Sequence, residues 1–226
     1  MLSSIRPIPL CVLTLILAAG AAPASATPVA VGDNIRVMDG PGTTGGGEFT
    51  IVVDAATSFV SFCLQRTEYI NFVNEFHVDG ISTYALSDPT SNGGDALGRD
   101  YLSPQTAFLY TQFRQGTLID YNYAGPDRWK SANNLQNAIW MFEQELAMNN
   151  TNPYVILAKD AVDKGLWAGL GNVRALNLSL RGVESQDQLM LVPGQTITEV
   201  PEPASLLLFG SGVSIAAMAR RRRKRQ

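Results

Sequence analysis

In the first half of the chain, hydrophobic and polar positions alternate with a period of two, the pattern of strands with distinct faces. Residues 48–54 put Phe49, Ile51 and Val53 on one side and Thr50, Val52 and Asp54 on the other. Ala55-Ala56 is a tight connection into a second alternating run, 57–65, so an antiparallel hairpin is predicted. In that run Val60, Phe62 and Leu64 share one face, and Phe59, Ser61 and Cys63 share the less apolar one. A short strand is expected over 34–38, and Pro41 to Gly47 reads as a flexible turn or linker. A further β-leaning run covers 68–78, with Asp79-Gly80 as a two-residue hairpin turn and 81–85 as the returning strand. Residues 87–100, rich in Ser, Asp, Asn and Gly, read as a surface loop.

The period then lengthens. Ser103-Pro104 is an N-cap and first-turn proline, and Gly116 ends the helix that carries Ala107, Phe108, Tyr110 and Phe113. A turn follows with Leu118, Tyr121 and Tyr123 as anchors. A second helix is predicted from near Ser131 to about Met148, with Leu135, Ile139, Phe142 and Leu146 as its buried stripe. Asn152-Pro153 opens a third helix that ends near Gly165. Alternation returns over 173–181 and 186–192. Strands, helices, strands: the order predicts an α+β fold, a β-rich sandwich- or barrel-like body with an inserted helical subdomain.

The two ends follow neither period. Residues 1–26 read as a secretory signal peptide: Arg6, an apolar run over 10–22, and the small-x-small site Ala24-Ser25-Ala26. Residues 27–47 form an N-terminal segment, 48–193 the body and 194–199 a polar linker. At the other end Pro201-Glu202-Pro203 precedes an apolar run over 204–219 and six consecutive basic residues, 220–225. Physically this is a short transmembrane helix stopped by a cytoplasmic basic cluster, with the body on the far side. The three-part tail resembles the PEP-CTERM sorting signal of Gram-negative-type bacteria. That resemblance implies signal peptidase and exosortase as processing partners, transient anchoring in the inner membrane, and delivery to the cell surface or extracellular matrix.

Charge narrows the partners. The 226 residues carry a formal net charge of −3, but seven of the 17 basic residues lie in the two ends. Residues 27–219 hold the other ten against all 20 acidic ones, a net of −10. Such a body repels nucleic acid. Without its ends the chain retains about 170 residues, enough for one domain with a real core.

Cysteine usage singles out one position. The first of the two cysteines, Cys11, lies in the expected signal peptide, so the mature chain holds one thiol, Cys63, with no internal disulfide partner. An odd cysteine in an exported protein needs a reason. Phe62-Cys63-Leu64 and Leu135-Gln136-Asn137-Ala138-Ile139-Trp140 together resemble the thioester domain family of bacterial surface adhesins. Phe108-Leu109-Tyr110-x-x-Phe113 and Gly116-Thr117-Leu118 are similar as well, and Leu135 stands where the family has threonine. The resemblance implies that Cys63 attacks the Gln136 carboxamide, expels ammonia and leaves an internal γ-glutamyl thioester. An amine-bearing surface or matrix component would then attack the Gln136 carbonyl, forming an amide and freeing Cys63. That is a single-use reaction rather than an enzyme's turnover, and it needs no metal or cofactor. Water would destroy the bond, so a shield is expected, with Phe59, Tyr69 and Trp140 as candidates.

Two other classes compete. A non-covalent matrix or carbohydrate-binding protein would use the same body without a thioester. A cysteine hydrolase would pair Cys63 with the sole histidine, His77. Asp79, Asp88, Asp95 and Asp100 fit turn chemistry better than a calcium site.

Overall fold

The computed structural model describes residues 28–43, 46–86 and 93–194. The expected signal peptide and the expected sorting tail, with its transmembrane helix, lie outside the described residues. Among the described residues no helix is long and apolar enough to cross a membrane.

The fold is α+β. Its main sheet is antiparallel and contains β1 (Asn34–Thr43), β2 (Gly46–Val52), β3 (Ser58–Ser61), β4 (Glu75–Ser82), β7 (Val173–Leu180) and β8 (Val183–Leu191), in the order β3-β2-β1-β4-β7-β8. A second, two-stranded sheet pairs β5 (Tyr84–Leu86) with β6 (Arg99–Tyr101). Helices α1 (Pro104–Gln115), α2 (Arg128–Phe142) and α3 (Pro153–Asp163) fill the interval between β6 and β7.

The two edges of the main sheet meet. Beyond Ser61 the chain leaves β2 and pairs with β8: Leu64 N–H donates to the Asp187 carbonyl and Leu189 N–H to the Phe62 carbonyl, each at 3.0 Å. The Tyr110 hydroxyl of α1 sits 2.9 Å from both the Val60 and Leu189 carbonyls and clamps the seam. All six strands supply side chains to one enclosed cluster, including Ile35, Ile51, Phe59, Cys63, Val78, Leu178 and Met190. A second cluster, with Phe62 and Leu64, packs the outer surface against the helices. The alternation around Cys63 therefore holds, but both of its faces are buried, and Cys63 itself is 0% exposed. Closing the sheet gives the cysteine side an interior of its own.

Local chemistry explains the helices. Ser103 Oγ accepts the Thr106 N–H, and Gly116 closes α1 at φ 72°. Asn152 Oδ1 accepts the Tyr154 N–H at 2.9 Å. Helix α2 starts at Arg128, earlier than expected, and without a side-chain cap. Arg128 instead grips the buried Glu48 of β2 with two bonds, at 2.8 and 2.6 Å, and Tyr121 donates to the same carboxylate. The helix ends at Phe142 rather than near Met148, because the chain turns through a left-handed Gln144 (φ 63°).

Three sequence expectations are corrected. Asp79-Gly80 is not a hairpin turn: β4 runs straight through it between β1 and β7, with a bulge between Val78 and Gly80 on the β7 side. Of the run 68–78 only the last residues are strand; residues 66–74 form a loop. Pro41-Gly42-Thr43 is likewise strand, the end of a hairpin in which Gly42 and Thr43 pair with Gly47 and Gly46.

Candidate functional site

Cys63 and Gln136, 73 residues apart, are in contact. The Cys63 thiol lies 3.3 Å from Gln136 Oε1. The same Oε1 accepts the Cys63 backbone N–H at 3.2 Å, and Gln136 Nε2 donates to the Cys63 carbonyl at 2.9 Å. The carboxamide thus occupies the place of a neighbouring strand. Leu64 and Phe62 face β8 with their backbone groups, so those of Cys63 face the opposite way. Strand β2 pairs with β3 only as far as Phe49 and Ser61. Gln136, projecting from α2, takes over where that ladder stops.

Three features place the glutamine. The Arg128–Glu48 pair pins the start of α2 to β2. Asn133 Oδ1 accepts the Thr43 backbone N–H at 3.0 Å, docking the helix on the β1–β2 hairpin. Gly46 allows the approach: a Cβ there would lie 2.5 Å from the Trp140 ring and 2.8 Å from Gln136 Cγ, and its φ is 139°. Leu135 faces the other way, into the helix-side cluster with Phe62 and Ile139, so it serves packing.

Burial pushes the Cys63 thiol well above its ordinary pKa, and the nearby Glu145 charge adds to that. The Cys63 backbone N–H and the Trp140 side chain oppose the shift. Trp140 Nε1 is buried and has no conventional hydrogen-bond partner. Cys63 borders a cleft of about 480 Å³ lined also by Asp39, Gly46, Arg66, Glu68, Tyr69 and Trp140. Of the three candidate shields, Trp140 is buried on the cleft wall and Phe59 is buried in the enclosed cluster. Tyr69 lines the cleft but is 86% exposed.

His77 is not brought to Cys63. It lies on β4 beside Asn34 of β1 and Asp79 of its own strand, lining a separate cleft with Ser179 and Arg181. Among the described residues no group of three or more His, Cys, Asp or Glu is arranged to hold a metal ion.

Two site residues escaped the sequence reading. Gly46 looked like part of a linker. Gln188 looked like one polar position in an alternating strand, yet it is 0% exposed, directly opposite Cys63 across the seam, and neither polar atom of its side chain has a partner. The register of a closed sheet is what brings it there, and no local pattern carries that information.

Comparison with known proteins places the tail. Residues 199–224 match the PEP-CTERM protein-sorting motif, which implies export, membrane-anchored processing by an exosortase and release at the surface. No curated protein and no solved structure matches the chain.

Proposed function

We propose that this exported protein captures amine-bearing surface or matrix components through an internal thioester between Cys63 and Gln136. The reading rests on one observation, the reciprocal contact that sets the buried thiol against the carboxamide of a residue 73 positions away. In assembly, Cys63 Sγ adds to the Gln136 side-chain carbonyl carbon. The thiol proton leaves with the amide nitrogen as ammonia, and a C–S bond replaces the C–N bond. The Cys63 backbone N–H already points at Oε1, where negative charge develops during the addition. Holding both groups in one geometry supplies the proximity that an amide, a poor acyl donor, requires. Trp140 and Phe59 keep bulk water from the bond, and Tyr69 stands at the mouth of the cleft. Before exosortase processing the tail would hold the body at the inner membrane. Afterwards the body would act in adhesion or matrix attachment.

Intact-mass measurement of the folded, unreduced protein tests this. The expected result is a chain lighter than its sequence by one ammonia, a deficit missing in Cys63→Ala and unchanged in His77→Ala. Methylamine should add its mass to Gln136 and release one titratable thiol. A wild-type mass equal to the encoded chain would sink the proposal and leave non-covalent binding in the aromatic-walled cleft as the better reading.

A further inference from the structure

Two residues beside Cys63 carry buried donors with no other work to do. Gln188 lies opposite Cys63 in a bridge where Leu64 and Phe62 take the flanking hydrogen bonds. Such a non-hydrogen-bonded pair brings its two side chains closer than the alternative register. Both Gln188 Nε2 and Oε1 are buried and unpartnered. Trp140 stands one helical turn after Gln136, on the wall of the cleft that Cys63 borders; its side chain already acts on the Cys63 thiol, and its Nε1 makes no full hydrogen bond elsewhere. Leaving a buried polar group unsatisfied costs stability, and an apolar side chain of similar shape would avoid that cost. Unsatisfied polar atoms on the residue opposite a thiol and on its cleft wall mark a place where the partner arrives during the chemistry.

We infer that Gln188 and Trp140 form a leaving-group pocket, donating N–H groups to the Cys63 sulfur as the thioester opens. The inference rests on the thioester reading. When an amine attacks the Gln136 carbonyl carbon, the C–S electron pair departs on Sγ. The amine nitrogen gives up a proton, which ends on sulfur, leaving an amide and a neutral thiol. Burial makes an unassisted thiolate costly here, so donors fixed in place beforehand act where the charge appears. Gln188 Oε1 is available to accept an N–H of the attacking amine.

The experiment uses the full chain with Cys11→Ser, so that Cys63 is the sole thiol, and compares it with Gln188→Met and Trp140→Phe. A chain carrying benzothienylalanine at position 140 keeps the indole shape without the N–H, and covers the case in which Trp140→Phe fails to fold. The first measurement is the rate of methylamine capture by mass. The second is the iodoacetamide alkylation rate of the free Cys63 thiol across pH, which reads the thiolate whether or not a thioester had formed. Each lost donor should slow both by about tenfold or more, the scale of a hydrogen bond to a charged group. Gln188→Met should also unfold at higher urea, which a merely structural glutamine would not do. Unchanged capture and alkylation in both positions would overturn the pocket. A wild-type chain without the mass deficit would sink the thioester, and the alkylation series would still decide for or against the donors.

Discussion

Asp187 and Gln188 are consecutive on β8, both polar and both at most 1% exposed, yet their surroundings are opposite. Asp187 faces a network in which every bond is made. Its carboxylate accepts from Leu86 N–H and Asn177 Nδ2 at 2.7 Å each and from Leu178 N–H at 2.8 Å. Leu178 is free to donate because a bulge between Leu176 and Leu178 interrupts the β7–β8 ladder. Burial raises the Asp187 carboxyl pKa while these donors hold it down. Gln188, one residue on, faces Cys63 with nothing bonded to its amide. A satisfied network fixes a loop and two strands; an unsatisfied one beside a thiol and a cleft is kept for something other than stability.

The contrast can be broken most strongly at Asp187. Asp187→Ala strands three donors and should destabilise the fold by about 3 kcal/mol in urea denaturation, whereas Gln188→Met should stabilise it by about 1 kcal/mol. Equal signs for the two variants would erase the distinction. Next comes the glycine that lets the helix approach the site. Gly46→Ala forces a Cβ against Trp140 and Gln136 at a positive φ. It should cost about 1–3 kcal/mol and lower the fraction of chains with the ammonia deficit, measured by urea and intact mass on one preparation. The smallest effect is expected at the acidic group behind the site. Burial, then the Glu143 and Glu145 charges, push the Asp100 carboxyl from 3.8 up to about 7. The folded state then holds a proton that the unfolded chain releases, so the stability it confers is complete below about pH 4 and fades as pH rises toward 7. Asp100→Asn should flatten that decline, by about 1 kcal/mol at most, in unfolding midpoints taken between pH 4 and 8. A slope unchanged by the substitution would show that the decline comes from elsewhere.

Much of this architecture was legible in the residues. The alternation over 57–65, the Ser103-Pro104 and Asn152-Pro153 helix starts and the Gly116 stop are local features, and the structure has them where the pattern put them. Cys63 and Gln136 were legible only as a pair, since a lone glutamine early in a helix signals nothing. What failed was non-local. Asp79-Gly80 has strong turn chemistry, but pairing of Gly80 and the residues after it with β7 carries the strand through it. Helix α2 begins early because Glu48, 80 positions away, supplies the anchor that its own N-terminus lacks. Gly46 and Gln188 owe their roles to what lies across the sheet from them, which periodicity along the chain does not encode.

The seam has a consequence for timing. Residues 187–189, which finish the wall around Cys63, lie on β8, the last strand of the body to be synthesised and to cross the membrane. Until they emerge, the strand that carries Cys63 has an open edge and its sulfur is not enclosed. Sealing is therefore deferred to the final moments of translocation, just ahead of the sorting tail, and the proposed thioester would form only on a chain that has been delivered whole.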